Sequence, residues 1–156
     1  MRKGQTELLN GLTESEASTI EGLGTRLKLA QGEVLFRLGA DADRLFLIER
    51  GRIALTLPMH VLDREESVLI EERGAGQALG WSALTPPHRF TLTATAMVET
   101  EVLALPRAVV FEYFDSRPDI GYVVARNVAT VIGQRLEVFQ AMWMREMQRV
   151  VKLSYA

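Results

Sequence analysis

The run Gly32-Glu33-Val34-Leu35-Phe36-Arg37-Leu38-Gly39-Ala40-Asp41-Ala42-Asp43-Arg44-Leu45-Phe46-Leu47-Ile48-Glu49-Arg50-Gly51-Arg52-Ile53 decides how this chain is read. Its apolar residues come in short clusters, Val34-Leu35-Phe36 and Leu45-Phe46-Leu47-Ile48, with Ile53-Ala54-Leu55 opening the next. Gly32, Gly39 and Gly51 separate them. Clusters this short, bounded by glycine, read as strands; a helix needs a longer run with 3.6-residue periodicity.

Outward from this run the same punctuation continues from Thr25 to about Leu105. Val68-Leu69-Ile70 and Val102-Leu103-Ala104-Leu105 are further strands, Gly74 and Gly76 further turns, and Asp63-Arg64-Glu65-Glu66 a solvated hairpin tip. Many short strands with turn signals predict a sandwich, barrel or jelly roll. On the N-terminal side, Thr13 and Glu16 form a capping box, in which each side chain satisfies the other's free backbone N–H. It predicts a short helix to about Glu21, with Ala17 and Ile20 facing inward and Gly22 and Gly24 ending it. On the C-terminal side, Arg107 to Phe114 reads as one helix. Ser116 then caps a second, Pro118 suits its first turn, and no proline interrupts from there to about Val150.

That last helix carries two apolar stripes. Val124, Val128, Val131, Val138 and Met142 follow a 4-3 spacing interrupted by Arg135; Ile132, Leu136, Phe139, Trp143, Met147 and Val150 form the other. One stripe docks a helix on its own domain. A second predicts a partner helix, most simply a second copy about a two-fold axis. We assign the first stripe, together with Gly133 as a point of close helix approach, to dimerisation. A single broad core-facing side is the simpler alternative.

Composition narrows the function. The 156 residues fit one structural unit, divided here into a strand-rich part (1–117) and the long helix (118–156). The formal net charge of -2, from 18 basic and 20 acidic side chains, offers no broad cationic surface for nucleic acid. The absence of cysteine excludes disulfides, thiolate metal sites and cysteine nucleophiles. The N-terminus begins Met1-Arg2-Lys3 without a following apolar run of signal-peptide length, and no stretch is long enough to span a membrane, so a cytoplasmic protein is expected. His60 and His88 lack a paired ligand spacing, which argues against a metal site and against a jelly-roll metalloenzyme. Neither a G-x-S-x-G nucleophile motif nor a phosphate-binding P-loop occurs, and no enzyme activity is expected.

The run 32–53, with its three glycines in register, closely resembles the cyclic-nucleotide-binding domains of the catabolite-activator and fumarate–nitrate regulator superfamily. Leu8-Leu9-Asn10-Gly11-Leu12 before it and Thr100-Glu101-Val102-Leu103-Ala104-Leu105 after it extend the match over nearly the whole chain. The resemblance implies a mainly β fold: a double-stranded β-helix, or jelly-roll-like β-roll, with flanking short helices and a long C-terminal helix. It also implies a phosphate-binding cassette at Gly76 to Ala94, in which Gly80, Ala83 and Leu84 match the family pattern. A helix starting near Trp81 would turn free N–H groups toward a cyclic phosphate. Two family side chains are replaced. Trp81 stands where a glutamate binds the ribose 2′-hydroxyl. Phe90 stands where an arginine neutralises the phosphate, and Arg89 is one residue out of register, which on a strand means the opposite face.

The expected ligand-contacting set is therefore Gly80, Trp81, Ser82, Ala83, Leu84, Arg89, Phe90, Thr91 and Thr93. Lost hydrogen-bonding partners argue against ordinary cyclic AMP or cyclic GMP. Three readings stay open. The first is another small effector, either a non-cyclic anion or nucleotide, or an aromatic molecule stacking on Trp81 and Phe90. The second is a ligand-free scaffold, and the third an interaction module whose Met142, Met144 and Met147 pack on a protein partner. No resident cofactor is expected. Most relatives carry a DNA-binding domain after the long helix, whereas this sequence stops at Ala156, so direct DNA contact is not expected. The function expected is a regulatory sensor that signals through its long helix.

Overall fold

Gly32, Gly39 and Gly51 stand at φ +85, +85 and +96, the left-handed region in which a Cβ would clash. At Gly51 the demand is also spatial: a Cβ there would lie 2.4 Å from Thr100 Oγ1 and 2.7 Å from the Glu99 carbonyl. The computed structural model describes residues 6–155, so the basic opening residues lie outside it.

Eight strands make two four-stranded antiparallel sheets. They are β1 (Thr25–Leu29), β2 (Val34–Phe36), β3 (Arg44–Arg50), β4 (Arg52–Val61), β5 (Arg64–Gly74), β6 (Ala78–Leu79), β7 (Thr93–Ala96) and β8 (Thr100–Pro106). One sheet has the order β1-β8-β3-β6 and the other β2-β7-β4-β5, so each contains crossovers between the two ends of the strand region. This is the expected β-roll. Leu45, Phe46, Leu47 and Ile48 are all buried, as a strand flanked by β8 and β6 and covered on both faces must be. In β4, Ile53 and Leu55 point inward while Ala54 and Thr56 are less buried, the period-two signature of a sheet with one wet face.

The helices close the roll. α1 (Glu14–Glu21) has the predicted capping box and buries Ala17 and Ile20. α2 (Arg107–Ser116) leads into α3 (Pro118–Ser154), whose 37 residues extend for about 55 Å. Among the described residues no helix is long and apolar enough to cross a membrane.

Two expectations need local correction. The hairpin tip is the two-residue turn Leu62-Asp63, with Arg64 to Glu66 already paired in β5, because Leu62 takes the positive φ of 57 that a tight turn demands. Ser116 does not cap α3: its hydroxyl donates to the Tyr113 carbonyl and helps end α2, and Arg117 precedes α3 without a side-chain cap. Gly133 is exposed and a Cβ there would meet nothing, so it marks no close crossing within this chain.

Candidate functional site

The cassette segment begins where β6 ends. Gly80 turns the chain at φ +76, packed so closely that a Cβ would sit 3.1 Å from the Phe90 ring and 3.2 Å from the Arg44 carbonyl. The expected helix is a single 3-10 turn, Trp81–Leu84. Four residues are too few to build an appreciable dipole.

Phe90 is buried and stacks on Phe36, ring centroids 3.9 Å apart and planes 11° apart; Phe36 in turn lies 5.8 Å from Phe46. The aromatic rings occupy the centre of the roll. What remains between Phe36, Gly80, Trp81, Ser82, Phe90 and Arg135 is a cavity of about 10 Å³. That is about the room of one water.

The structure brings together Gly80, Trp81, Ser82, Phe90 and Thr91 from the expected ligand set. The others lie elsewhere. Arg89 is exposed and its Nη1 donates to the Gly39 carbonyl at 3.0 Å, so its charge is spent on a loop on the outside of the roll. Thr93 accepts a hydrogen bond from the Leu38 N–H, and Ala83 is fully buried as packing. Leu84 faces the opposite way, into an apolar crevice of about 240 Å³ with Phe111, Phe114, Ala125 and Ile132. Thr91 precedes β7, and Thr93 is the first residue of that strand.

The residue that sequence reasoning missed is Arg135, noted only as a break in a stripe. Its side chain runs from α3 to the cavity and is 8% exposed. Its Nε donates to Glu71 Oε2 at 2.7 Å. Glu71 Oε1 meanwhile accepts from Arg73 Nη1 at 3.0 Å. Arg73, 2% exposed, also donates to the Ala78 carbonyl and to Glu7, and Glu7 accepts from the Ala78 N–H. Two guanidinium groups and two carboxylates thus balance their charges and join α3 to β5, to β6 and to the 3-10 turn Glu7–Leu9. Pairing of this kind offsets the cost of removing such charges from water. A second clasp lies one face round: Asn127 Nδ2 donates to the carbonyls of Leu8 and Asn10 at 2.7 and 2.8 Å. A charged residue at the 3-4 continuation of a core stripe was the one available signal for Arg135.

The long helix also redistributes the expected dimer residues. Val124, Val128 and Val131 are buried against the chain's own roll, and Val138 and Met142 are half-buried against the same core. The first stripe is therefore the docking face, because the roll reaches it before any partner can. The second stripe is the more open one: Ile132 and Phe139 are partly buried against the same core, but Leu136 and Trp143 are 58% and 62% exposed, and Val150 and Leu153 are exposed beyond them. Together with Ala125, Ala129, Ile132 and Phe139 these residues repeat every four and three positions, broken only by Glu146. Among the described residues no group of three or more His, Asp or Glu is placed to hold a metal ion.

Comparison with known proteins agrees with this architecture. The chain is 26% identical over 135 residues to glutaminase 2 of Bradyrhizobium diazoefficiens, a match that covers 85% of this chain but 20% of that protein. The fold is similar to the N-terminal domain of a transcriptional regulator from Streptomyces coelicolor A3(2), with a TM-score of 0.72 at 23% identity, covering 85% of this chain and 92% of that one. It is equally similar to the Thermus thermophilus catabolite activator protein, with a TM-score of 0.72 at 24% identity, covering 92% of this chain and 63% of that one. The family model of the cyclic nucleotide-binding domain matches residues 26–117, more than half of the chain, and the protein belongs to that family.

Proposed function

We propose that this chain is a dimeric regulatory module whose β-roll senses a small effector other than cyclic AMP or cyclic GMP, and whose long helix α3 is the output element. One observation carries the reading: Arg135 lines the cavity and belongs to the same helix whose apolar 4-3 stripe leaves Leu136, Trp143, Val150 and Leu153 exposed. A change at the cavity is thereby linked to the helix without an intervening domain. The 4-3 spacing is that of a coiled-coil seam, and Leu136, Trp143 and Val150 would pair best with the same residues of a second copy. The stripe begins over the crevice of Leu84 and Phe111, so the seam is continuous with the end of the cassette. The likeness to one-fifth of a larger enzyme and to one domain of a regulator supports a module that acts on other parts or partners.

A ligand-free scaffold is the second reading, and the closed cavity with its Phe36–Phe90 stack favours it. Both readings share the dimer and differ in the response to small molecules. Sedimentation equilibrium tests the dimer, and a thermal-shift screen of nucleotides, organic acids and aromatic metabolites tests the sensor. A native-state ligand at 100 times its Kd adds about 2.7 kcal/mol. A dimer with a reproducible hit supports the sensor. A dimer silent across the screen overturns the sensor in favour of the scaffold.

A further inference from the structure

The mouth of the cavity holds one charged side chain, and it comes from the helix. Among the described residues Arg135 is the sole charged one lining it, with the hydroxyl-bearing Ser82 and Thr91 beside it. Only Nε of its guanidinium is engaged; Nη1 and Nη2 have no hydrogen-bond partner among the described residues. A guanidinium presents a planar fork of donors that suits two oxygens at once. The oxygen it now holds belongs to Glu71, a carboxylate already shared with Arg73. Arg73 would keep Glu7 and the Ala78 carbonyl if Glu71 moved.

We propose that Arg135 is the receptor for a small oxyanion, a carboxylate or phosphate group, and that Glu71 occupies its place in the closed state. The inference rests on the sensor reading above and names the chemical class of the effector. An entering oxyanion displaces Glu71 from Nε and binds side-on to Nε and one of the free Nη groups. Room comes from parting the Phe36–Phe90 stack, which fills the rest of the cavity. The exchange removes the ionic tie between α3 and β5 while Asn127 still holds α3 to the segment at Leu8. The outer part of α3 is then released relative to the roll. Because the anchoring cation lies on α3, and the cassette position carries Phe90, ligand binding and helix release are one event.

The test is calorimetric titration of the full chain with sodium phosphate, and separately with sodium acetate, against sodium chloride at equal ionic strength, with hydrogen exchange of residues 132–154 read at saturation. Saturable binding of phosphate, acetate or both is expected, together with faster exchange in that segment; which anion binds identifies the group. Arg135→Gln should weaken binding at least tenfold. Glu71→Gln, which removes the competing carboxylate, should tighten it severalfold, a gain that a merely damaged fold would not produce. Equal heats in phosphate, acetate and chloride, or unchanged affinity in both variants, would overturn the proposal. A dimer that ignores both anions overturns this inference and leaves the dimer intact. A monomer that binds phosphate through Arg135 supports it and overturns the dimer.

Discussion

Phe36 on β2 and Phe90 in the cassette segment stack face to face at 3.9 Å, and both rings line the small cavity beside Gly80, Trp81 and Ser82. An aromatic ring stands at the position of the expected arginine, and Trp81 at that of the expected glutamate. On the sensor reading proposed above, both cassette side chains that the resemblance implies for cyclic AMP or cyclic GMP are thus replaced at their positions. Millimolar concentrations of either nucleotide should leave the melting temperature unchanged within error, and a rise of several degrees would contradict this.

Phe90→Ala removes a buried ring from both the stack and the wall beside Gly80. Large-to-small changes of this kind cost about 3–5 kcal/mol through lost burial and the cavity left behind. Denaturant unfolding should show that loss, with the slope little changed.

The open stripe of α3 predicts a separable effect. Trp143→Glu and Leu136→Lys alter exposed residues, so the fold measured by circular dichroism should persist. In a coiled-coil seam either charge would face its own symmetry copy, and sedimentation should show a monomer for either variant. Val128→Lys, by contrast, strikes a side chain buried under the chain's own roll and should unfold the domain.

Arg73→Met keeps much of the side-chain volume and deletes the charge. It leaves Glu71 and Glu7 without the guanidinium that both now use. Breaking one partner of such a buried network costs about 3–5 kcal/mol. Gly51→Ala should be destabilising for a different reason, combining a left-handed φ of +96 with a contact of 2.4 Å, and a loss of at least about 2 kcal/mol is expected.

Asp119 at the start of α3 is held below the usual carboxylate range, chiefly by its hydrogen bond from Arg117. A depressed folded-state value makes the contribution present above the ordinary carboxylate range and lost as pH falls through the folded one. The difference in melting temperature between wild type and Asp119→Asn should accordingly shrink toward zero as the pH is lowered below 4.

The β-roll was legible because its signal is local. Glycines at 32, 39 and 51, the capping box of Thr13 and Glu16, and Pro118 in the first turn of α3 each act through their own backbone geometry, and each stands where the residues predicted. Periodicity likewise located two stripes on the last helix. It did not tell which stripe the roll would cover, since a helix's own spacing is blind to which face its sheet approaches. Packing decided that: Val124, Val128 and Val131 went inward, and the stripe of Leu136 and Trp143 stayed outside. The site divides in the same way. Trp81 and Phe90 declared in sequence what the cavity lacks. That Phe36 would come from another sheet segment to close it, and that Arg135, Glu71, Arg73 and Glu7 would meet, depended on contacts between residues up to 66 positions apart. Backbone preference belongs to each residue and its neighbours, and the sequence determined it alone; the pairing of charges and rings across the roll exists only once the tertiary structure has brought them within a few ångströms.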